Sequence, residues 1–247
     1  DNEGIFTLRN VSDTDNIKEY IERHNVRRAV IVGGGFIGLE MAENLHDTGA
    51  KVSVVEMAPQ VMAPMDYSMA QIVHEHLVTK GGDLYLGEGV VAFENNNDGI
   101  SVVLSSERSI AADIVILSIG VRPTTALAHD AQIALGEVGG IRVDNFMQTS
   151  VEGIYAVGDA VEFQHPLLNK PWLNLLAGPA NRQARIAADN MVFGNHIEYE
   201  GSIGTAIAKV FDITVASTGV PAKRMKELGI PYLTATIHPN SHAQYYP

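Results

Sequence analysis

One stretch constrains this chain more than any other. Gly33-x-Gly35-x-x-Gly38 stands between the apolar run Arg28-Ala29-Val30-Ile31-Val32 and a segment of helical character, Phe36 to Thr48, that stops at Gly49. A short β-branched run without polar alternation is the pattern of a strand buried on both faces of a parallel sheet. In that setting the three glycines have separate tasks. Gly33 permits the tight turn, Gly35 lets backbone approach a pyrophosphate, and Gly38 lets the helix lie close on the strand. The helix then offers unpaired N–H groups and the positive end of its dipole to phosphate oxygens. Lys51 to Val55 is a second buried strand, and Glu56 ends it. A carboxylate roughly 20 residues beyond the glycines accepts the hydroxyls of an adenine ribose. It also repels a 2′-phosphate, and no arginine follows closely, so the pattern favours NAD over NADP. Glycine spacing alone is weak evidence; strand, helix, spacing and acid together point to a dinucleotide site.

The remaining pattern extends this unit. Residues 12 to 25 read as a helix capped by Ser12 or Asp13. Asp66 or Ser68 caps another, with Met69, Ile72, Val73 and Leu77 on its inner face. Three short strands near 83–86, 89–94 and 100–105 read as a meander turning at Asn95 to Gly99, and Ile114 to Ser118 returns as a buried strand. The texture changes after Pro123. A buried strand is expected at Ile154-Tyr155-Ala156-Val157, running into Gly158-Asp159, then a helix from Pro179 to Phe193. Ala206 to Val210, Ile213 to Ala216 and Tyr232 to Ile237 read as strands.

Composition narrows the partners. Net charge is −12, so nucleic acid and anionic membrane surfaces would be repelled. No apolar run approaches about 18 residues, and the acidic start lacks the features of a signal peptide, so a cytoplasmic protein is expected. There is no cysteine, hence no disulfide, thiolate ligand or cysteine nucleophile in this chain. No metal site is expected: His74 and His76 are two apart on a helix and face different ways, which suits solvated polar residues. His238 and His242 flank Pro239, which argues against a shared helical face. Trp172 reads as a packing anchor, and Met57, Met62 and Met65 as core filling or an adenine-pocket wall.

Four stretches together resemble the flavin- and pyridine-nucleotide-dependent disulfide oxidoreductases. They are Gly33 to Glu40, Ser118-Ile119-Gly120-Val121-Arg122-Pro123, Gly153 to Asp159, and Gly178-Pro179-Ala180-Asn181-Arg182-Gln183. Thr205 to Phe211 and His242 to Pro247 are similar to the dimerisation domain of the branch containing coenzyme A disulfide reductases, NADH oxidases and persulfide reductases. The resemblance implies an α/β fold: a Rossmann-like NAD-binding domain with a β-meander crossover over residues 12–122, part of an FAD-binding domain in 1–11 and 123–198, and the start of an α+β dimerisation domain in 199–247. It implies that Gly33, Gly35, Phe36, Ile37, Gly38, Glu56 and Gly120 hold NAD(H). Phe36 would cover the flavin until nicotinamide arrives, and Glu40 would face the flavin and pair with a lysine outside this sequence. Gly158, Asp159, Pro179 and Ala180 would hold FAD, with Asp159 on the ribityl chain. The family's complete chain opens with its own FAD-binding glycine motif and a catalytic cysteine. Neither is in this sequence, so it reads as an internal piece, with FAD binding weak or absent and no activity by itself. The implied parent is a homodimer passing a hydride from NADH through FAD to a cysteine and a small disulfide, persulfide or oxygen acceptor. An NADH-dependent ferredoxin-type reductase, needing no cysteine, and a non-catalytic NAD-binding module stand as alternatives.

Overall fold

The computed structural model describes residues 3–239 and Tyr245. Its centre is a five-stranded parallel sheet built from β1 (Ile5–Thr7), β2 (Arg28–Val32), β3 (Lys51–Glu56), β4 (Asp83–Leu86) and β8 (Ile114–Leu117), in the order β1-β8-β2-β3-β4. Alternating side chains of β2 explain why both faces are buried. Ala29 and Ile31 point into one core with Leu39, Ala42 and Leu45 of α2 (Phe36–Asp47) and Val73 and Leu77 of α3 (Tyr67–Thr79). Val30 and Val32 point into the other. That second face is covered by a three-stranded meander, β5 (Val90–Asn96), β6 (Gly99–Leu104) and β7 (Ser109–Ala112), whose Ile100, Val102 and Leu104 alternate inward. Each such side chain, fully buried, stabilises the fold by about 1.5–3 kcal/mol.

Polar pins set the register. Asp113 accepts the backbone N–H of Arg27 at 2.9 Å and of Arg28 at 2.8 Å, and the Arg28 guanidinium at 2.7 Å. Arg28 also reaches Asp98 at 2.9 Å, which ties the meander turn to β2. These charge-assisted contacts fix β2 beside β8 and hold the Asp113 carboxyl below its usual range against the opposing effect of burial.

Several expectations are corrected. Residues 83–86 are the outermost strand of the parallel sheet, paired with β3, and not part of the meander. Ile5–Thr7, expected with the FAD unit, pairs parallel with β8 as the opposite edge of the same sheet. α1 (Val11–Arg23) is capped by Asn10, whose side chain accepts the Asp13 N–H while Asp13 accepts the Asn10 N–H; neither Ser12 nor Asp13 is the cap. Ile72 is exposed, because the inner face of α3 is Ala70, Val73, His74 and Leu77.

Beyond α4 (Ala126–Asp130) lies a smaller sheet of β9 (Ile141–Arg142), β10 (Val161–Gln164) and β11 (Pro171–Leu173). The helix α5 (Ala177–Phe193) packs Ile186 and Ala187 against Met147, Val161 and Phe163, with Trp172 beside them. The buried strand expected at 154–157 does not form. Tyr155 makes a single bridge to Gln148, and Ile154 is 41% exposed, because no neighbouring strand covers this run among the described residues.

The antiparallel hairpin of β12 (Thr205–Val210) and β13 (Ile213–Thr218) docks on α2, and Val210, Phe211 and Val215 complete the first core. Glu43 of α2 accepts the Phe211 N–H at 2.9 Å and Lys209 Nζ at 2.7 Å. Asp66, the residue before α3, spends its carboxylate on the N–H groups of Ala222 and Lys223, both at 2.9 Å, capping α6 (Ala222–Glu227) and not its own helix. Tyr232 to Ile237, expected as a strand, runs exposed, and among the described residues its apolar β-branched content has no strand to pair with. His242 lies outside the described residues.

Candidate nucleotide-binding site

The glycine-rich turn leaves the carboxyl end of β2 and enters α2. Gly33 has φ of 108°, and a Cβ there would meet Ser118 O at 2.4 Å. A Cβ on Gly38 would meet Gly33 O at 2.0 Å and Ser118 Oγ at 2.7 Å. Both positions therefore need glycine for close approach of backbone to backbone. Gly35 differs: nothing lies within 4 Å of where its Cβ would be. Its side of the turn is open, and as the N-cap of α2 it makes no side-chain cap. An open backbone surface at a helix N-terminus suits a phosphate.

Glu56 lies at the carboxyl end of β3, beside the turn. Its Oε2 accepts the Gly34 N–H and its Oε1 the Ala58 N–H, each at 2.7 Å. Each oxygen retains a lone pair for a further donor, so the carboxylate is oriented by the backbone and still able to accept sugar hydroxyls. Phe36 is half-buried in the first turn of α2, while Ile37 and Glu40 are exposed on it. Gly120, with φ of 96°, follows β8 at the same end of the sheet. The expected dinucleotide residues thus gather at the strand ends where β2, β3 and β8 stop.

The second constellation forms around the start of α5. Gly158 has φ of 85°, its N–H donates to the buried Gln183 at 2.8 Å, and a Cβ there would lie 3.8 Å from Ala180. Gly158, Asp159, Pro179 and Ala180 are therefore neighbours. The helix begins at Ala177, two residues earlier than expected, with Leu176 as a cap that supplies no side-chain acceptor. Asp159 is exposed beside it. A free helix N-terminus next to a carboxylate offers donors for anionic oxygens and an acceptor for hydroxyls, which fits the polar portions of a flavin cofactor.

Residues to which the sequence assigned no separate role also build the site. Ser118 Oγ lies 3.0 Å from Val32 O and 2.9 Å from Gly33 O, locking the turn to β8. Gln183 sits within a recognised motif, yet only the folded helix shows its hold on Gly158. His74, expected to be solvated, is buried on α3 and accepts the Val61 N–H at 3.1 Å, with burial pushing its pKa down. His76 instead accepts the Asp212 N–H at 3.3 Å, so the two histidines do face different ways. Met62 is buried whereas Met57 is exposed. Among the described residues no cluster of three acidic or histidine side chains is arranged to hold a metal ion, and no helix is long and apolar enough to cross a membrane.

A parallel sheet with a glycine-rich turn and an acid at the next strand end defines a dinucleotide-binding α/β protein. The family model described as pyridine nucleotide-disulphide oxidoreductase matches residues 1–184. The chain belongs to that family. Over 247 residues it is 31% identical to the coenzyme A disulfide reductase of Staphylococcus haemolyticus, covering 100% of this chain and 55% of that one. The crystal structure of reduced Bacillus anthracis CoADR-RHD superposes with a TM-score of 0.95 at 48% identity, covering 99% of this chain and 44% of the other. An NAD-dependent persulfide reductase from A. fulgidus matches with a TM-score of 0.89 at 37% identity, covering 94% of this chain and 42% of the other. The chain thus spans about half the length of the curated relatives it matches.

Proposed function

We propose that this chain is the NAD(H)-binding core of a flavoprotein oxidoreductase that passes the two electrons of a hydride from NADH through FAD to an oxidised cysteine, and so to a small disulfide, persulfide or oxygen acceptor. The observation that carries the reading is the turn itself. Gly35 is open to a phosphate beside Glu56, whose carboxylate is already aimed by two backbone N–H groups. Family membership and similarity to enzymes named for coenzyme A disulfide and persulfide reduction support the acceptor class.

Within that function, Gly35 and the start of α2 hold the pyrophosphate, and Glu56 takes the ribose hydroxyls and repels a 2′-phosphate. Phe36, half-buried at the start of α2, provides the apolar cover over the reacting rings, and Glu40 is the acidic group one turn further along. Gly158, Asp159, Pro179 and Ala180 would hold the flavin's polar chain, and the α5 N-terminus would stabilise negative charge on reduced flavin. FAD, when bound, supplies a two-electron acceptor between nicotinamide and sulfur. The chain has no cysteine, so a thiolate that attacks sulfur must come from elsewhere in the enzyme. The intact enzyme is proposed to be a cytoplasmic homodimer.

Equilibrium titration of the chain with NADH and NADPH tests the core of this reading. Wild type should bind NADH more tightly. Glu56→Gln keeps an oxygen for the Gly34 N–H but loses the charge, so preference for NADH should fall by about tenfold, equivalent to about 1.4 kcal/mol. Tighter NADPH binding by wild type, or no binding of either, would overturn it.

A further inference from the structure

The loop that follows Glu56 is more tightly built than a strand-to-helix connection requires. Gln60 is 5% exposed, and its Nε2 donates to Met65 O at 3.0 Å, with the carbonyls of Val61 and Met62 at 3.3 and 3.5 Å. Met62 is fully buried with φ of 54°, a left-handed conformation that residues other than glycine rarely adopt. Val61 is buried too, and its N–H donates to Nε2 of His74, which is 7% exposed. The Gln71 side-chain amide lies 3.0 Å from Nδ1 of the same ring. A buried polar ring therefore serves one backbone amide of a loop.

That loop is docked on the glycine-rich turn. Val61 Cγ1 lies 2.6 Å from where a Cβ on Gly34 would stand, so side chain and glycine fit face to face. The Met62 N–H donates to Gly34 O at 2.9 Å, and the Gly34 N–H donates to Glu56 Oε2 at 2.7 Å. Both polar groups of Gly34 are thus engaged within the chain, one by Met62 and the other by Glu56. In a planar trans peptide the C=O and the following N–H point in opposite directions. Holding Gly34 O against Met62 therefore turns the Gly35 N–H away from Met62, toward the open side of the turn.

We propose that His74 is a positioning residue for dinucleotide binding: by accepting the Val61 N–H it holds Val61 and Met62 against Gly34, and so sets the direction of the Gly35 N–H. This rests on the reading of the turn as an NAD(H) site. His74 acts at one remove, through Val61, Met62 and Gly34, and touches no nucleotide.

The test is a fluorescence titration of NADH into the 247-residue chain and its His74 variants, with the urea midpoint of each recorded. His74→Phe fills the space but gives the Val61 N–H no acceptor; among folded molecules NADH affinity should fall by about tenfold. His74→Gln presents an amide oxygen to the same N–H and should stay within about threefold of wild type. If His74→Phe does not fold, His74→Asn, with a shorter reach, carries the same expectation of loss. A variant without the acceptor that loses stability yet binds NADH as tightly as wild type would show a merely structural role and overturn the proposal. Failure of wild type to bind NADH would overturn the dinucleotide reading and this role with it.

Discussion

Replacing Gly38 by alanine separates packing from binding at this turn. A Cβ at that position would sit 2.0 Å from Gly33 O, where an ordinary contact is 3.4 Å or more, an overlap of about 1.4 Å. The obstacle is a backbone carbonyl facing the Ser118 hydroxyl at 2.9 Å, so it cannot swing aside as a flexible side chain would. The start of α2 must back away from β2, opening the core around Leu39 and Ala42. Overpacking of this kind costs typically about 1–3 kcal/mol, here at the upper end, against about 1 kcal/mol returned by the better helix propensity of alanine. The net loss of about 2 kcal/mol should lower Tm by roughly 4–8 °C for a chain of this size. Gly35→Ala is the matching control. Gly35 has φ of −79° and open space around it, so stability should change by less than about 1 kcal/mol. The added methyl group stands on the approach of the phosphate, and NADH affinity should fall by at least about tenfold. Thermal unfolding and NADH titration of both variants give four measurements. An unchanged Tm for Gly38→Ala, or unchanged NADH affinity for Gly35→Ala, would refute the division of labour among these glycines.

Three further outcomes follow from other contacts. Ser118→Ala removes the hydroxyl between Val32 O and Gly33 O and should cost about 1–2 kcal/mol in urea unfolding; no change would show the lock to be idle. Hydrogen bonds from Ser106 and Arg108 depress the Glu88 pKa to about 2, so its contribution to stability is complete above the ordinary glutamate value and is lost as pH falls toward 2. Wild type should therefore exceed Glu88→Gln in urea midpoint at pH 6, with the gap closing in acid, and a gap independent of pH would contradict this. Asp66→Ala leaves the N–H groups of Ala222 and Lys223 without their cap, about 1 kcal/mol, so trypsin should cleave after Lys223 or Arg224 faster than in wild type. Equal cleavage rates would count against the cap.

The glycine-rich turn and the elements on either side of it were legible in the sequence. β2, the turn, α2, β3 and Glu56 are contiguous, and each piece announces itself through local chemistry: a β-branched run, glycines at fixed offsets, an acid at a strand end. Such local rules hold because the backbone conformations of the turn and the burial of the strands depend on the residues themselves. Whatever depends on a distant neighbour became visible only in the fold. Ile154 to Val157 has the composition of a buried strand, yet a strand needs a partner, and among the described residues only Gln148 bridges it. Ile5–Thr7 could have joined either unit; hydrogen bonding to β8 assigns it. His74 and Asp66 look like an ordinary helix residue and an ordinary cap, and only the fold sends one to Val61 and the other to α6. A side-chain hydrogen bond has no period along the chain, so nothing in spacing could reveal that a histidine on α3 accepts the N–H of a loop residue packed on the glycine-rich turn.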